Sequence, residues 1–194
     1  MSQTETNKDM ESIRSNADGF SFINPDSNGS DYAVVCGPIT AVPTSLFPDI
    51  SEDEAHRLFR IVYPKLAAYT VYTDVIPELD VTILTGINEP TELPVKSHMY
   101  KILSEMSHCR RGVLAAVSRS GMLDIAAVRN SRLLLLNTVR NEDSYTNLYY
   151  IVKTWKELGF KSGIDDIKLF GADLGNQAFI DRLRLMTGVI ALCE

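Results

Sequence analysis

Apolar residues recur along this chain in two rhythms, helical and alternating, and together these predict most of its elements. Ala55, Leu58, Phe59 and Val62 return at helical spacing. Ser51-Glu52-Asp53-Glu54 precedes them with the serine-to-glutamate separation at which two side chains cap each other's backbone amides, so a helix is predicted from Ser51 to Val62. Val95, Met99, Ile102, Leu103 and Met106 line one face of a second helix beginning near Pro94. A third stripe, Leu148, Ile151, Val152, Trp155 and Leu158, is entered through Asn141 to Ser144 and stopped at Gly159. Phe179, Ile180, Leu183 and Met186 mark a fourth helix, capped near Asn176.

The alternating and short apolar runs predict strands. Ser12–Ser15 and Phe20–Ile23 flank the turn Asn16-Ala17-Asp18-Gly19 as a β-hairpin, and Tyr32–Cys36 follows a loop dense in turn formers. Val71–Val75 and Val81–Gly86 are two further strands. Gly112–Arg119, Met122–Val128 and Leu133–Val139 form a three-stranded meander, divided by Ser120-Gly121 and by Arg129-Asn130-Ser131. Asp166–Phe170 and Val189–Cys193 complete the set, so the second half reads βββαβαβ.

Composition narrows the function classes. With 194 residues the chain is one large domain or two small ones, and 45% hydrophobic with 23% charged residues supports a proper core. Nineteen Lys and Arg against 25 Asp and Glu give a net charge of -6, which disfavours a broad nucleic-acid face. The N-terminus lacks the apolar core of a secretory signal, and the apolar runs Val113–Val117 and Leu133–Leu136 fall far short of the ~20 residues that cross a bilayer. Cys36, Cys109 and Cys193 are odd in number and widely spaced, which fits a reducing cytoplasm.

Three meandering strands followed by alternating helix and strand is the order of the ribonuclease H-like fold, and the first half repeats it as hairpin, strand, helix, strand, helix. Several motifs add to that order. They are Ser12-Ile13-Arg14 with Asp18–Phe22, Val42-Pro43 with Leu46-Phe47 and the Glu54-Ala55 helix, Leu135-Leu136-Asn137, Glu142-Asp143 with Tyr149-Tyr150, and Leu169-Phe170-Gly171. On these residues the chain resembles the Bacteroidetes domain-of-unknown-function family 3822, within the actin-like ATPase superfold. The resemblance implies a mixed α/β protein of two tandem ribonuclease H-like lobes. Residues 1–11 are then a flexible tail, 12–111 a shortened first lobe and 112–194 a second.

ATPases of that superfold hold Mg-ATP between two β-hairpins whose turns carry an Asp-x-Gly type sequence, so the resemblance also implies a test. The first turn corresponds to Ser15–Gly19 and keeps Asp18 and Gly19; the second corresponds to Ser118-Arg119-Ser120-Gly121 and has no carboxylate for a hard Mg²⁺ ion. The adenosine-receiving turn resembles Leu169–Asn176, with Gly171 and Gly175. The missing acid favours a protein that has kept the fold and lost phosphoryl transfer, acting without a cofactor as a binding or scaffolding module. In the alternative, a nucleotide binder, Asp18 and Gly19 hold Mg²⁺ of ATP through water, Ser118 and Ser120 contact phosphate, and Gly171 and Gly175 hold the base. A regulator docking a short peptide between the lobes is a variant of the first reading.

Other constellations carry less. His108 and Cys109 are neighbours and point apart on an extended chain, His56 and His98 are expected solvated or partly buried, and no zinc or calcium ligand spacing occurs. Arg110, Arg111, Arg119, Arg129, Arg132 and Arg140 make the meander the most basic region, with Arg119 and Arg129 expected to share a strand end. On the third helix Tyr149 is expected to flank the buried stripe, with Tyr145 and Tyr150 nearer its edges. That helix, Asn147–Leu158, is the expected surface for a protein partner.

Overall fold

A computed structural model describes residues 20–23, 32–88, 94–119, 121–141, 143–189 and 192–193. The predicted strand Ser12–Ser15, the turn Asn16–Gly19 and Ser120 lie outside these described residues. The strands are β1 (Phe20–Ile23), β2 (Tyr32–Val35), β3 (Ile39–Pro43), β4 (Thr70–Ile76), β5 (Val81–Ile87), β6 (Val95–Ser97), β7 (Val113–Arg119), β8 (Met122–Arg129), β9 (Arg132–Arg140), β10 (Asp166–Phe170) and β11 (Leu192–Cys193). The helices are α1 (Glu52–Val62), α2 (His98–Ser107), α3 (Ser144–Glu157) and α4 (Gln177–Thr187).

The second half forms one five-stranded sheet in the order β11-β10-β7-β8-β9. Within it β7, β8 and β9 run antiparallel as the predicted meander, while β10 pairs parallel to β7 and β11 parallel to β10. Alternation sorts the side chains of the two central strands. Leu114, Ala116, Leu123, Ile125 and Ala127 pack with Leu148, Ile151, Val152 and Trp155 of α3 and with Phe179 and Leu183 of α4. Val113, Ala115, Ala126 and Val128 face the opposite way, onto Met99, Leu103 and Met106 of α2. Both faces of the sheet are therefore covered, and each fully buried Leu, Ile or Met contributes about 1.5–3 kcal/mol.

The first half departs from the simple repeat that the sequence suggests. It builds two small sheets, β1-β2-β6 and β3-β5-β4. The second is antiparallel and carries α1, whose Ala55 and Phe59 are buried against Val71 and Leu84. The Ser51–Glu54 capping box forms as the spacing predicts. Two strands were not apparent in the sequence. β3 lies between Pro38 and Pro43 and pairs from Ile39↔Thr85 to Pro43↔Val81. β6 occupies the segment expected to begin a helix near Pro94; β-branched Val95 extends beside Ala33 of β2, and α2 starts only at His98, capped by Ser97.

Candidate functional site

The first polar cluster follows from one residue that β8 places in an apolar row. Asp124 alternates with Ala126 and Val128 on the α2-facing side, and its side chain is 0% exposed. A carboxylate there stays charged only with partners. It has three. Arg119, at the end of β7, donates from Nε to Oδ2 at 2.5 Å and from Nη2 to Oδ1 at 3.1 Å; Thr138 of β9 donates to Oδ1 at 2.5 Å; and His98 Nε2 lies 2.7 Å from Oδ2. Burial pushes the Asp124 carboxyl up, but the hydrogen bonds and charges of His98 and Arg119 outweigh it and hold the group at about 2, below its ordinary 3.8.

His98 and Arg119 also make contacts within the first half. His98 Nδ1 is 3.3 Å from the Val35 carbonyl at the end of β2, and Arg119 Nη2 donates to the Gly37 carbonyl at 2.9 Å. Tyr63, after α1, donates its hydroxyl to the Ile39 carbonyl at 2.5 Å, and burial pushes its phenol pKa up. Cys36 lies beside this group as a free, half-buried thiol, pushed up by burial and pulled partly back by Arg119. Asp124 is thus the centre of a knot joining the five-stranded sheet to α2, to β2 and to the loop that opens the β3-β5-β4 unit. The His98 side chain is 7% exposed, so of the two states expected for it, solvated or partly buried, it takes the buried one, and that of Arg119 is 17% exposed. Arg119 and Arg129 do not share a strand end: they close β7 and β8, which run antiparallel, and Arg129 pairs with Asp165 at 3.1 Å instead.

Of the sequence-predicted site residues, Ser118, Gly171 and Gly175 are brought together; Asp18, Gly19 and Ser120 lie outside the described residues. β7 and β10 are parallel neighbours, so the turn after Phe170 rises beside Ser118. Gly171 has φ +104°, and a Cβ there would stand 2.5 Å from the Ser118 carbonyl oxygen. Gly175 donates its amide to the Gly171 carbonyl at 3.2 Å. Ser118 Oγ donates to Asp173 Oδ2 at 3.3 Å and accepts from Asn141 Nδ2 at 3.0 Å. The Ser118 hydroxyl is thus engaged at both ends, with the Asp173 carboxylate beside it. The carboxylate on the β7–β8 strands themselves, Asp124, is enclosed by Arg119, His98 and Thr138.

The remaining candidates separate. His56 is half-buried within α1, His108 is exposed as the C-cap of α2, and Cys109 packs against the core with Sγ toward the Glu105 carbonyl. No group of three or more potential metal ligands occurs among the described residues. Nor is any helix among them long and apolar enough to cross a membrane.

A second site lies on the surface where β9 passes into α3. Asp143 caps α3, its Oδ1 accepting the Thr146 amide at 2.7 Å, and this hydrogen bond holds the exposed carboxyl below its ordinary range. Beside the cap is a pocket of about 450 Å³ lined by Arg140, Tyr145, Thr146, Tyr149 and Tyr150. Tyr145 is 64% and Tyr149 58% exposed. Tyr150 packs partly against the core and meets Tyr149 edge to face at 5.2 Å. This reverses the expected order: Tyr149, not Tyr150, is the ring offered outward.

The family model described as Protein of unknown function (DUF3822) matches residues 33–184. The chain belongs to this family. No curated protein matches this DUF3822 member. Its structure is similar to a protein of Bacteroides thetaiotaomicron VPI-5482 described as having an actin-like ATPase fold and unknown function. The TM-score is 0.68 and the identity 21%, over 82% of this chain and 65% of that one. The chain therefore spans less than two thirds of that protein's length. The likeness establishes the actin-like ATPase fold for this DUF3822 chain. A PilM-PilN type IV pilus biogenesis complex is a more distant likeness, with TM-score 0.46 and 14% identity over 81% of this chain and 65% of that one.

Proposed function

We propose that this DUF3822 protein is a non-catalytic binding or scaffolding module that uses the actin-like fold for its shape. One observation carries the reading. The single acid on the strands of the second hairpin, Asp124, is enclosed by Arg119, His98 and Thr138 and fastens the two halves of the chain together. A carboxylate serving as a structural tie is not free to position a metal-bound water. The free thiols of Cys36 and Cys109 accord with a cytoplasmic setting for such a module.

A second reading, an ATP/Mg binder, is favoured by one fact: Ser118, Gly171 and Gly175 do converge at the mouth of the β7–β10 pair. Asp18, Gly19 and Ser120 would complete that site. Thermal unfolding separates the two readings. A ligand present at 100 times its dissociation constant adds about 2.7 kcal/mol to a folded state that binds it. The expected result with millimolar Mg-ATP is an unchanged Tm. A rise of several degrees that disappears in Asp18→Ala would replace the module with the nucleotide binder.

A further inference from the structure

The pocket between the end of β9 and the start of α3 joins two features on an acidic protein. Its floor is aromatic: the outward faces of Tyr145 and Tyr149 are large, rigid and apolar, with a hydroxyl at the tip. Its rim is cationic. Arg140 is exposed and meets no carboxylate among the described residues. The Arg182 guanidinium stands 5.2 Å from the Tyr145 ring centroid and the Lys153 ammonium 5.7 Å from that of Tyr149. Among the described residues Asp143 is turned to the helix amides and Asp181 to Gln177 and Arg184, while Glu157 pairs with Lys153 at 3.9 Å. A chain with net charge -6 therefore sets two cations that have no ion pair among the described residues, Arg140 and Arg182, beside two exposed tyrosines.

We propose that this pocket docks an acidic peptide segment of a partner protein, one carrying an aromatic or large aliphatic side chain. The proposal rests on the binding-module reading and names its partner's chemistry. The planar guanidinium of Arg140 matches a carboxylate with two parallel hydrogen bonds, and Arg182 beside Tyr145 adds attraction that a neutral segment would not feel. The tyrosine faces take the apolar side chain, an anchor of the kind that dominates interface energies. Two such cations are too few to hold a nucleic acid against the overall negative charge, which leaves a short acidic segment as the occupant.

The test uses the full chain and a fluorescein-labelled peptide, Asp-Glu-Phe-Glu-Asp, followed by anisotropy at low salt. Saturable binding is expected, weakened at least tenfold by Arg140→Glu and by Tyr149→Ala and within twofold of wild type for Arg132→Glu at the far end of β9. The peptide with Asn and Gln in place of its acids should bind at least tenfold more weakly. Because Arg140 and Tyr149 are exposed, each variant should melt within a few degrees of wild type, and Arg140→Gln serves as a milder second substitution. Equal binding of acidic and neutral peptides, no binding of either, or affinity indifferent to Arg140 overturns the proposal. So does concentration-dependent self-association in sedimentation that Tyr149→Ala abolishes, since the occupant would then be a second copy. Failure of the peptide with no Mg-ATP shift removes this pocket alone, whereas a Mg-ATP shift removes the reading beneath it.

Discussion

Asp124→Ala is expected to lower stability by about 3–5 kcal/mol, the cost of leaving buried charges without their partner. Arg119 and His98 would both face the empty position, still desolvated and still tied to the Gly37 and Val35 carbonyls. For a chain of this length the loss corresponds to a fall in Tm of about 6–20 °C, read by circular dichroism. The pH dependence has a defined sign. Asp124 is held at about 2 against an ordinary 3.8, so its contribution is complete above about pH 4 and is lost as pH falls toward 2. That difference amounts to about 2 kcal/mol, less than the substitution removes because a protonated Asp124 still fills its place among the hydrogen-bonding partners. Acid titration of wild type should show this component, and Asp124→Ala should lack it. Equal acid sensitivity of the two proteins would show that Asp124 is not paired as described.

Gly171→Ala is expected to cost about 2–4 kcal/mol, combining a backbone at φ +104° with a Cβ placed 2.5 Å from the Ser118 carbonyl oxygen. The oxygen belongs to a paired strand and cannot move aside cheaply. Gly175→Ala is the control, since its nearest neighbours to an added Cβ stand at 3.7 and 3.8 Å. Its change should lie within about 0.5 kcal/mol. Urea unfolding of the two variants separates packing from ligand recognition. If both are equally stable and both lose binding to Mg-ATP, the glycines serve a nucleotide; if only Gly171→Ala is destabilised, the first glycine serves the close approach of β10's turn to β7.

Local signals were legible in proportion to how much of their physics is local. The βββαβαβ order of the second half follows from alternation and helical spacing, and the Ser51–Glu54 box announces α1, because each is set by residues within one turn or strand. β6 could not be seen that way: three residues adopt a strand only because β2 offers a free edge to them. The knot was missed for the same reason. His98, Arg119, Asp124 and Thr138 come from four elements, and no spacing connects them. One signal was available. An aspartate inside the apolar run Met122–Val128, buried on both faces, must be paired, and Arg119 and Arg129 flank it at equal distance in sequence, so that run alone does not choose between them. Of the turn residues, Ser118 and Gly171 lie beside one another, and their closeness is explained by strand packing and by Asp173 and Asn141. The outward ring of α3 was misassigned because helical spacing orders positions around the axis, whereas Tyr150 gains cover from its contact with Tyr149.

A double-mutant cycle between Asp124 and His98 tests most directly whether the hairpin carboxylate is a tie between the halves, since His98 belongs to α2 of the first half. Urea unfolding of wild type, Asp124→Ala, His98→Ala and the double variant gives the pair's coupling energy. The predicted value is at least about 1.5 kcal/mol, the double variant being less damaged than the sum of the single ones. Additivity within about 0.5 kcal/mol would contradict the tie.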